Sequence, residues 1–375
     1  MIDSNLVEFV ERNFCDVVKD LTSGNHKIVG KDYLMEGRFP IIDQGSNFCS
    51  GYTNSKELLC KTELPCIIFG DHTRVLKYID TPFALGADGV KVLKPIKGLD
   101  ERYLFYFLKN LDIPSAGYSR HFKFLKEKKI RYPLQLSEQK RIVAILDKAD
   151  SIRQKRDQAI MIADDFLRAK FLEMFGTPAH NVHHFPTGTI RDLVDSVNYG
   201  TSAKASVDSG KYPILRMGNI TYQGGWDFND LKYIDLNEKE KIKFLARKGD
   251  LLFNRTNSKE LVGKTAVFEE KKSMAFAGYL IRVRPSSIGN NYYISGYLNS
   301  THGKTTLMNM CKSIVGMANI NAQELQDIEI LIPPKHLQDK YESIYKRVKI
   351  GSAIADRSAE QLQLLAENLA NKYFM

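Results

Sequence analysis

The 375-residue sequence has one tryptophan, five cysteines and no apolar run of the roughly 18–20 residues that a membrane-spanning helix needs. The cysteines are odd in number and form no CxxC pair, which favours reduced thiols over a disulfide framework. The N-terminal residues carry acidic side chains early and lack a basic segment followed by an apolar one, so the sequence predicts no export signal. We therefore expect a cytoplasmic protein that does not bind a membrane.

Motifs that mark catalytic or cofactor sites are also missing. The sequence has no GxGxxG, no HExxH and no Asn-Pro-Pro or Asp-Pro-Pro of the adenine methyltransferase type. Gly263-Lys264-Thr265 and Gly303-Lys304-Thr305 lack the upstream glycine of a phosphate-binding P-loop. The histidines at 180, 183 and 184 have no Cys or acidic partner at ligand spacing, which favours a solvated linker over a metal site. We predict no catalytic residue, no metal ligand and no cofactor in this chain.

The charge balance points to a polyanionic partner. The sequence has 54 Lys and Arg against 44 Asp and Glu, a formal net charge of +10. Within 121–156 the excess is sharper, with 11 basic residues against four acidic ones. A basic stripe of this kind suits contact with nucleic-acid phosphates, although a solvated helix face remains the alternative.

Two segments are predicted to form long helices. The first is predicted from Ser137, a candidate N-cap, to Phe175, before the stop signal at Gly176. The second follows Pro333-Pro334 and runs to the C-terminus. Each carries one apolar stripe spaced in threes and fours, so the two helices are natural packing partners, with burial on a single domain as the alternative. At 1.5 Å per residue the first helix would be about 58 Å long.

The stretches 1–133 and 180–333 show short apolar runs separated by turn signals, as in α+β or mainly β domains. They also resemble each other at four points in the same order. The matched segments are Pro40-Ile41-Ile42 with Pro213-Ile214-Leu215, Ile67-Ile68-Phe69 with Leu251-Leu252-Phe253, Val92-Leu93-Lys94-Pro95 with Arg282-Val283-Arg284-Pro285, and Leu125 and Pro133 with Leu325 and Pro333. The chain is therefore predicted to hold two copies of one unit, a globular domain followed by a long helix.

Loops rich in hydrogen-bond donors are expected after the repeated strands. Arg pairs with guanine and Asn or Gln with adenine, so such loops on a rigid scaffold suit recognition of base edges, with ordinary turns as the alternative. The matching loops differ in sequence, so the two halves should recognise different DNA sequences. The candidate DNA-binding residues are Gln44, His72, Arg74, Tyr118, Arg120 and His121 in the first half, and Lys204, Arg216, Asn219, Asn254, Arg255, Asn257 and Lys259 in the second.

Three strings resemble the DNA-specificity subunit of type I restriction–modification systems. They are Pro-Leu-x-Leu-Ser-Glu-Gln-Lys-Arg-Ile-Val at 133–143, Tyr-Pro-Ile-Leu-Arg-Met-Gly-Asn-Ile at 212–220, and Lys-Gly-Asp-Leu-Leu-Phe-Asn-Arg at 248–255. The resemblance implies an α+β fold with two repeated target-recognition domains, separated by two long helices that form an antiparallel coiled coil. The domains would be 1–135 and 179–334, and the helices 136–178 and 335–375.

The resemblance also implies a function without catalysis. Each recognition domain would bind half of a split, asymmetric site on double-stranded DNA, and the helices would set the spacing. Two methyltransferase subunits would supply S-adenosylmethionine, and a motor-endonuclease subunit would supply ATP and Mg²⁺. The second helix departs from the family pattern, because His336-Leu337-Gln338 replaces the Ser-Glu-Gln start of the first, which puts docking at that end in doubt.

Three alternatives remain open. One is an enzyme such as a nuclease, against which the missing motifs count. Another is a coiled-coil scaffold that does not bind DNA, against which the basic balance counts. The third is a specificity protein of a related methylation or phage-defence system, which the sequence alone hardly separates from the main interpretation.

Overall fold

The computed structural model describes residues 7–86, 89–115, 117, 119–258, 261–314 and 317–374. The chain divides into two compact units. Unit 1 contains residues 1–155 and 357–375, and unit 2 contains residues 156–356. Each long helix is thus shared between the units, whereas the sequence treats the helices as separate segments. The predicted domain boundaries stay predictions.

Unit 1 contains three sheets and a group of short helices. Its strands are β1 Phe9–Asn13, β2 Val18–Asp20, β3 Phe39–Ile42, β4 Gly51–Thr53, β5 Cys66–Gly70, β6 Leu76–Ile79, β7 Ala84–Leu85, β8 Val90–Pro95 and β9 Lys129–Pro133. Its helices are α1 Phe14–Val17, α2 Glu101–Lys109, α3 Phe122–Lys126 and the first half of α4 Leu136–Phe175, with one-turn 3₁₀ helices at Gly30–Asp32 and Lys56–Leu58. The sheet orders are β1-β9, β2-β8-β5-β6 and β4-β3-β7.

Unit 2 has the same plan with longer loops. Its strands are β10 Thr187–Thr189, β11 Val194–Tyr199, β12 Tyr212–Leu215, β13 Lys232–Ile234, β14 Leu245–Ala246, β15 Leu251–Asn254, β16 Thr256–Asn257, β17 Thr265–Val267, β18 Met274–Phe276, β19 Leu280–Pro285, β20 Lys312–Ile314, β21 Met317–Asn319 and β22 Glu329–Leu331. Its helices are α5 Glu238–Phe244, α6 Asn291–Asn299, α7 Thr301–Met310, α8 Ala322–Gln326 and the first half of α9 Lys335–Phe374, with 3₁₀ helices at Ile190–Leu193 and Met217–Asn219. The sheet orders are β10-β22, β11-β19-β15-β17, β13-β12-β18-β14 and β16-β21-β20.

The predicted repeat is confirmed in the strand pairing. In unit 1, β3 pairs in parallel with β7, and in unit 2, β12 pairs in parallel with β18. The central strands β5 and β15 pair antiparallel with β8 and β19, so that Ile67 faces Leu93 in one unit and Leu251 faces Val283 in the other. The first three matched segments therefore belong to equivalent strands, and in the fourth, Leu125 and Leu325 lie in the short helices α3 and α8.

The central strands are apolar throughout because both of their faces are covered. Ile67 and Phe69 of β5 belong to the core that includes α2, while Ile68 belongs to a second core on the opposite face. In β15, Leu251 and Phe253 face one core and Leu252 another. Successive side chains of a strand point to opposite faces, so a continuous apolar run is what a strand between two cores requires.

The long helices pack against each other within each unit. In unit 1, Ile142 and Leu146 of α4 join the core that contains Tyr373 and Phe374 from the end of α9. In unit 2, Phe171 near the end of α4 meets Tyr341 near the start of α9, with ring centroids 5.4 Å apart. Each pairing joins the beginning of one helix to the end of the other, which is the antiparallel arrangement.

The predicted end of α4 is correct, but its predicted start is not. Gly176 has a φ of +69° and donates its N–H to the Leu172 carbonyl, as a C-terminal glycine cap does. At the other end, the Gln135 carbonyl accepts N–H groups from Glu138 and Gln139. Ser137 therefore lies inside the first turn and is not the N-cap.

A buried glutamine joins each long helix to its globular part. Gln139 Nε2 donates to the carbonyls of Gly98 (2.9 Å) and Pro133 (2.8 Å), and its Oε1 accepts the Asp100 N–H (2.7 Å). Gln338 repeats the first two bonds, to Ile288 (3.0 Å) and Pro333 (2.8 Å). The start of α9 therefore keeps the glutamine contact, even though its surrounding sequence departs from that of α4.

We expect Gln139→Ala to lower the free energy of unfolding by about 2–4 kcal/mol, because it removes three hydrogen bonds and leaves buried carbonyls without a partner. Gln338→Ala should cost less, about 1–3 kcal/mol, since its Oε1 has no partner among the described residues. Calorimetric unfolding of the full chain measures both. The exposed Gln154→Ala is the control, and equal effects for all three variants would contradict the role of these glutamines.

Candidate nucleic-acid interface

The loops that follow the repeated strands of unit 2 line one cavity of about 750 Å³. Arg216 follows β12, Arg255 follows β15, and Lys204 lies in the loop after β11. The parallel pairing of β12 with β18 and the antiparallel pairing of β15 with β19 bring these strand ends to the same side of the unit. Three of the predicted DNA-binding residues therefore meet in one cationic cavity.

Two further lining residues were missed by the sequence reasoning. Lys232 belongs to β13, where it lies opposite Ile214, and Tyr279 is about half exposed just before β19. Both reach the cavity through pairing between strands distant in sequence. No motif in the sequence marks either residue, so only the pairing register could have identified them.

Asn219 fixes the backbone that carries Arg216. Its Oδ1 accepts the Arg216 N–H (2.8 Å), and its Nδ2 donates to the carbonyls of Asp227 (2.8 Å) and Asp230 (3.3 Å). Asn219 is 3% exposed. The Arg216 guanidinium donates through Nη2 to the Asp230 carbonyl and carboxylate, both at 2.7 Å. This loop is therefore held in place before any ligand arrives, and one side of the Arg216 guanidinium is already bonded.

Arg255 is held by its backbone and by an aromatic ring. Its N–H donates to the Tyr279 carbonyl (3.0 Å), and its carbonyl accepts the Ile320 N–H (2.9 Å). The guanidinium carbon lies 5.0 Å from the centroid of the Tyr199 ring, and the Tyr199 hydroxyl accepts the Ala322 N–H. A guanidinium stacked in this way loses little freedom on binding a planar acceptor.

The equivalent loops of unit 1 also meet, with different side chains. Gln44 follows β3, and its Oε1 accepts the His72 N–H (3.2 Å) from the turn after β5. The Gln44 carbonyl accepts the Thr73 hydroxyl (2.5 Å). Lys77 is buried and donates to the carbonyls of Asp43 and Asn47, and these two bonds fix the backbone of the Gln44 loop. Burial lowers the pKa of Lys77, and Asp43 opposes this shift.

Arg74 and Arg120 are both exposed in unit 1. Arg74 closes the hairpin turn between β5 and β6 with a φ of +62°, and its Nη1 donates to the Ile113 carbonyl (2.8 Å). The Arg74 guanidinium therefore has one structural bond and remains accessible on its other nitrogens.

Two other predicted residues, His121 and Asn254, are buried. His121 is 1% exposed, and its N–H and Nδ1 both lie within hydrogen-bond distance of the Asp71 carbonyl. Asn254 is fully buried at the end of β15. These two side chains and that of Asn219 are enclosed by protein atoms, and His121 and Asn219 make hydrogen bonds inside the unit. DNA contact by any of them stays a prediction.

The remaining predicted residues are distributed as follows. Asn257 is half-buried, and its Oδ1 accepts the Ser258 N–H. Tyr118 and Lys259 lie outside the described residues. The basic stretch 121–156 is partly neutralised, since Glu138 pairs with Arg141 and Asp150 with Arg153. Within the ranges that the structure describes, no cluster of three or more His, Cys, Asp or Glu is arranged to hold a metal ion, and no helix is long and apolar enough to cross a membrane.

The structure thus has two repeated units in which loops gather at the strand ends, and in unit 2 these loops carry several cations. Residues 8–161 and 185–363 match the family described as the type I restriction modification DNA specificity domain. The chain belongs to this family.

Individual relatives agree with this membership. The chain is 26% identical over 296 residues to the EcoKI specificity subunit of Escherichia coli K12, a match that covers 72% of this chain and 62% of that subunit. The type I S subunit of M. genitalium shares the fold over all of this chain and 98% of its own, with 14% identity and a TM-score of 0.63. A chain from a study of type I complex assembly covers 98% of this chain and 97% of its own, with 14% identity and a TM-score of 0.51.

We expect Asn219→Ala to lower the stability of the chain by about 1–3 kcal/mol, because it leaves the Arg216 N–H and two loop carbonyls without their partner. Thermal unfolding measures the loss. Asn229→Ala, an exposed position in the same region, should have almost no effect. Unchanged stability together with lost DNA binding would instead make Asn219 a DNA contact.

Proposed function

We propose that this chain is the DNA-specificity subunit of a type I restriction–modification complex and has no catalytic activity of its own. The observation that carries the proposal is the cavity of unit 2, where Lys204, Arg216 and Arg255 meet at the ends of the repeated strands. Membership of the specificity family supports it independently. Unit 1 and unit 2 would each bind one half of a bipartite, asymmetric site on double-stranded DNA.

Two kinds of contact would contribute to DNA binding, one to phosphates and one to base edges. Lysines at exposed positions, such as Lys204, would neutralise phosphates and give salt-dependent affinity without sequence preference. Arg255, stacked on Tyr199, would present its guanidinium to a base edge, where an arginine pairs best with guanine. The equivalent turn of unit 1 carries His72 and Arg74 instead, so the two half-sites would differ in sequence.

The complex would depend on partner subunits. Two methyltransferase subunits would bring S-adenosylmethionine, and a motor-endonuclease subunit would bring ATP and Mg²⁺, while this chain binds none of these. Such a complex would act on chromosomal and invading DNA in the cytoplasm. The same buried glutamine bond at the start of each long helix gives the two helix starts a similar backbone conformation, and we expect partner subunits to meet both.

The first test of this function separates the half-sites. In cells that express the chain with its neighbouring methyltransferase subunits, a map of N6-methyladenine should show a new split motif. Arg255→Ala should relax or abolish recognition at one half-site, and Arg74→Ala at the other. With purified complex, Arg255→Ala should weaken specific binding by about 5- to 150-fold, which corresponds to about 1–3 kcal/mol.

The control for this test is Lys239→Gln, an exposed lysine of α5 that does not line the cavity. It should leave the motif unchanged. A stable complex that produces no methylation would favour the scaffold function or a defence system without methylation. A relaxed sequence at both half-sites in either single variant would contradict the assignment of one half-site to each unit.

A second test addresses the spacing of the half-sites. Seven residues inserted within 150–165 of α4, with seven matching residues in α9, keep the apolar stripe in register and add about 10 Å of helix. We expect the non-specific spacer to lengthen by about three base pairs and both half-sites to stay the same. A methylation map measures this, and an unchanged spacer would refute the role of the helices.

A further inference from the structure

A second cavity of unit 2, about 420 Å³ in volume, shares no lining residue with the first. It lies beside the start of α7 and the C-terminal part of α4. Its polar lining consists of Arg168 from α4, Asn299 from the end of α6, and Thr301, Lys304 and Thr305 from the first turns of α7, with the Tyr222 ring beside them. No carboxylate belongs to the lining that the structure describes.

The Gly263-Lys264-Thr265 segment packs beside this cavity, against the helices α6 and α7, and α7 carries Gly303-Lys304-Thr305. Gly263 has a φ of +78° and packs so closely on α7 that an added Cβ would lie 2.6 Å from Leu307 Cδ1. The Asn299 amide donates to the Thr265 carbonyl (2.9 Å). Residues 263–265 are therefore fixed against the helices that form the cavity, and both lysines lie in the same region of unit 2.

The lysines here lack the carboxylate partners that buried cations need. Lys264 is 8% exposed, and its side-chain ammonium group forms no hydrogen bond or ion pair within the described ranges, although its carbonyl accepts the Asn254 N–H. Lys304 Nζ donates to the Tyr222 carbonyl (3.3 Å) and lies 4.5 Å from the Tyr222 ring centroid. Burial, with added repulsion from Arg168 and Lys264, lowers the pKa of Lys304 to about 8. Arg168 pairs with Asp165 on the outer side of α4 (2.9 Å).

Among the described residues, Asp165 pairs with Arg168, but no carboxylate pairs with Lys264 or Lys304, so the three neighbouring cations leave a net positive charge that favours an anion at this site. The start of the ten-residue helix α7 adds the positive end of a helix dipole, and the Thr301 hydroxyl adds a neutral donor. The Thr305 hydroxyl already donates to the Thr301 carbonyl. A tetrahedral dianion with several acceptor oxygens matches this set of donors. We propose that the cavity bounded by Arg168, Lys304 and the N-terminus of α7 is a phosphate-binding site.

The phosphate could belong to a free mononucleotide or to the DNA backbone, and the two sources differ in their readout. Calorimetric unfolding of the full chain is measured with inorganic phosphate or dAMP, against chloride at matched ionic strength. If a free ligand binds, the unfolding midpoint should rise by about 2–4 °C at a ligand concentration about tenfold above the dissociation constant. Lys304→Gln should abolish the increase. A general salting effect of phosphate would persist in the variant and so is distinguished.

Lys264→Met gives a signature that a purely structural lysine would not. It should raise the midpoint of the free chain, because a buried cation without a partner is removed, and it should also abolish the phosphate effect. Lys239→Gln is the matched control and should change neither quantity. If the phosphate belongs to DNA, small ligands have no effect, but Lys304→Gln lowers the slope of log affinity against log salt by about 1.

The proposal is overturned if phosphate, dAMP and the DNA salt slope all fail to respond to Lys304→Gln, or if the phosphate effect persists in both lysine variants. These results are independent of sequence recognition. A chain that recognises its split motif normally could fail this test, and a chain with no motif could pass it.

Discussion

The buried glutamine at the start of each long helix is the contact on which the arrangement of each unit depends. Gln139 bonds the carbonyl of Pro133, at the end of β9, and that of Gly98, in the loop that precedes α2. Gln338 bonds the corresponding carbonyls before α9 and α6. Three elements distant in sequence are thereby joined inside an apolar environment, where an unpaired carbonyl is costly. The direction in which the helix leaves the sheet follows from this junction.

With the scaffold fixed, the loops at the strand ends can change their side chains without changing the fold. Asp71 in unit 1 and Arg255 in unit 2 occupy equivalent places. In each unit, the N–H of this residue donates to a carbonyl of one neighbouring segment, and its carbonyl accepts an N–H from a second segment. Those bonds involve only the backbone, so they hold whether the residue is acidic or basic. A protein built in this way can alter what it recognises in one unit and leave the other unit intact.

The sequence predicted what depends on local pattern and repetition. The long helices, the end of α4 at Gly176 and the matched strands all follow from periodicity or from internal similarity. The candidate site was harder to predict, because a residue type shows which bonds a side chain can make but not which partner it meets. Asn219 and His121 are suitable donors for DNA, yet both are buried. Conversely, Lys232 reaches the cavity only through its place opposite Ile214.

The partners of the cations in unit 2 separate structural from binding roles. Arg282 and Arg284 lie beside the buried Asp250, with Arg284 Nε 2.8 Å from its Oδ1, so a carboxylate within the fold offsets part of their charge. Lys204 and Arg255, in contrast, form no ion pair with any carboxylate that the structure describes, and both line an open cavity. A cation balanced internally has little to gain from an external anion, whereas one without a partner keeps its full attraction for a phosphate or a base edge. Arg216 lies between these cases, since its pair with Asp230 is exposed and can exchange for a ligand at small cost.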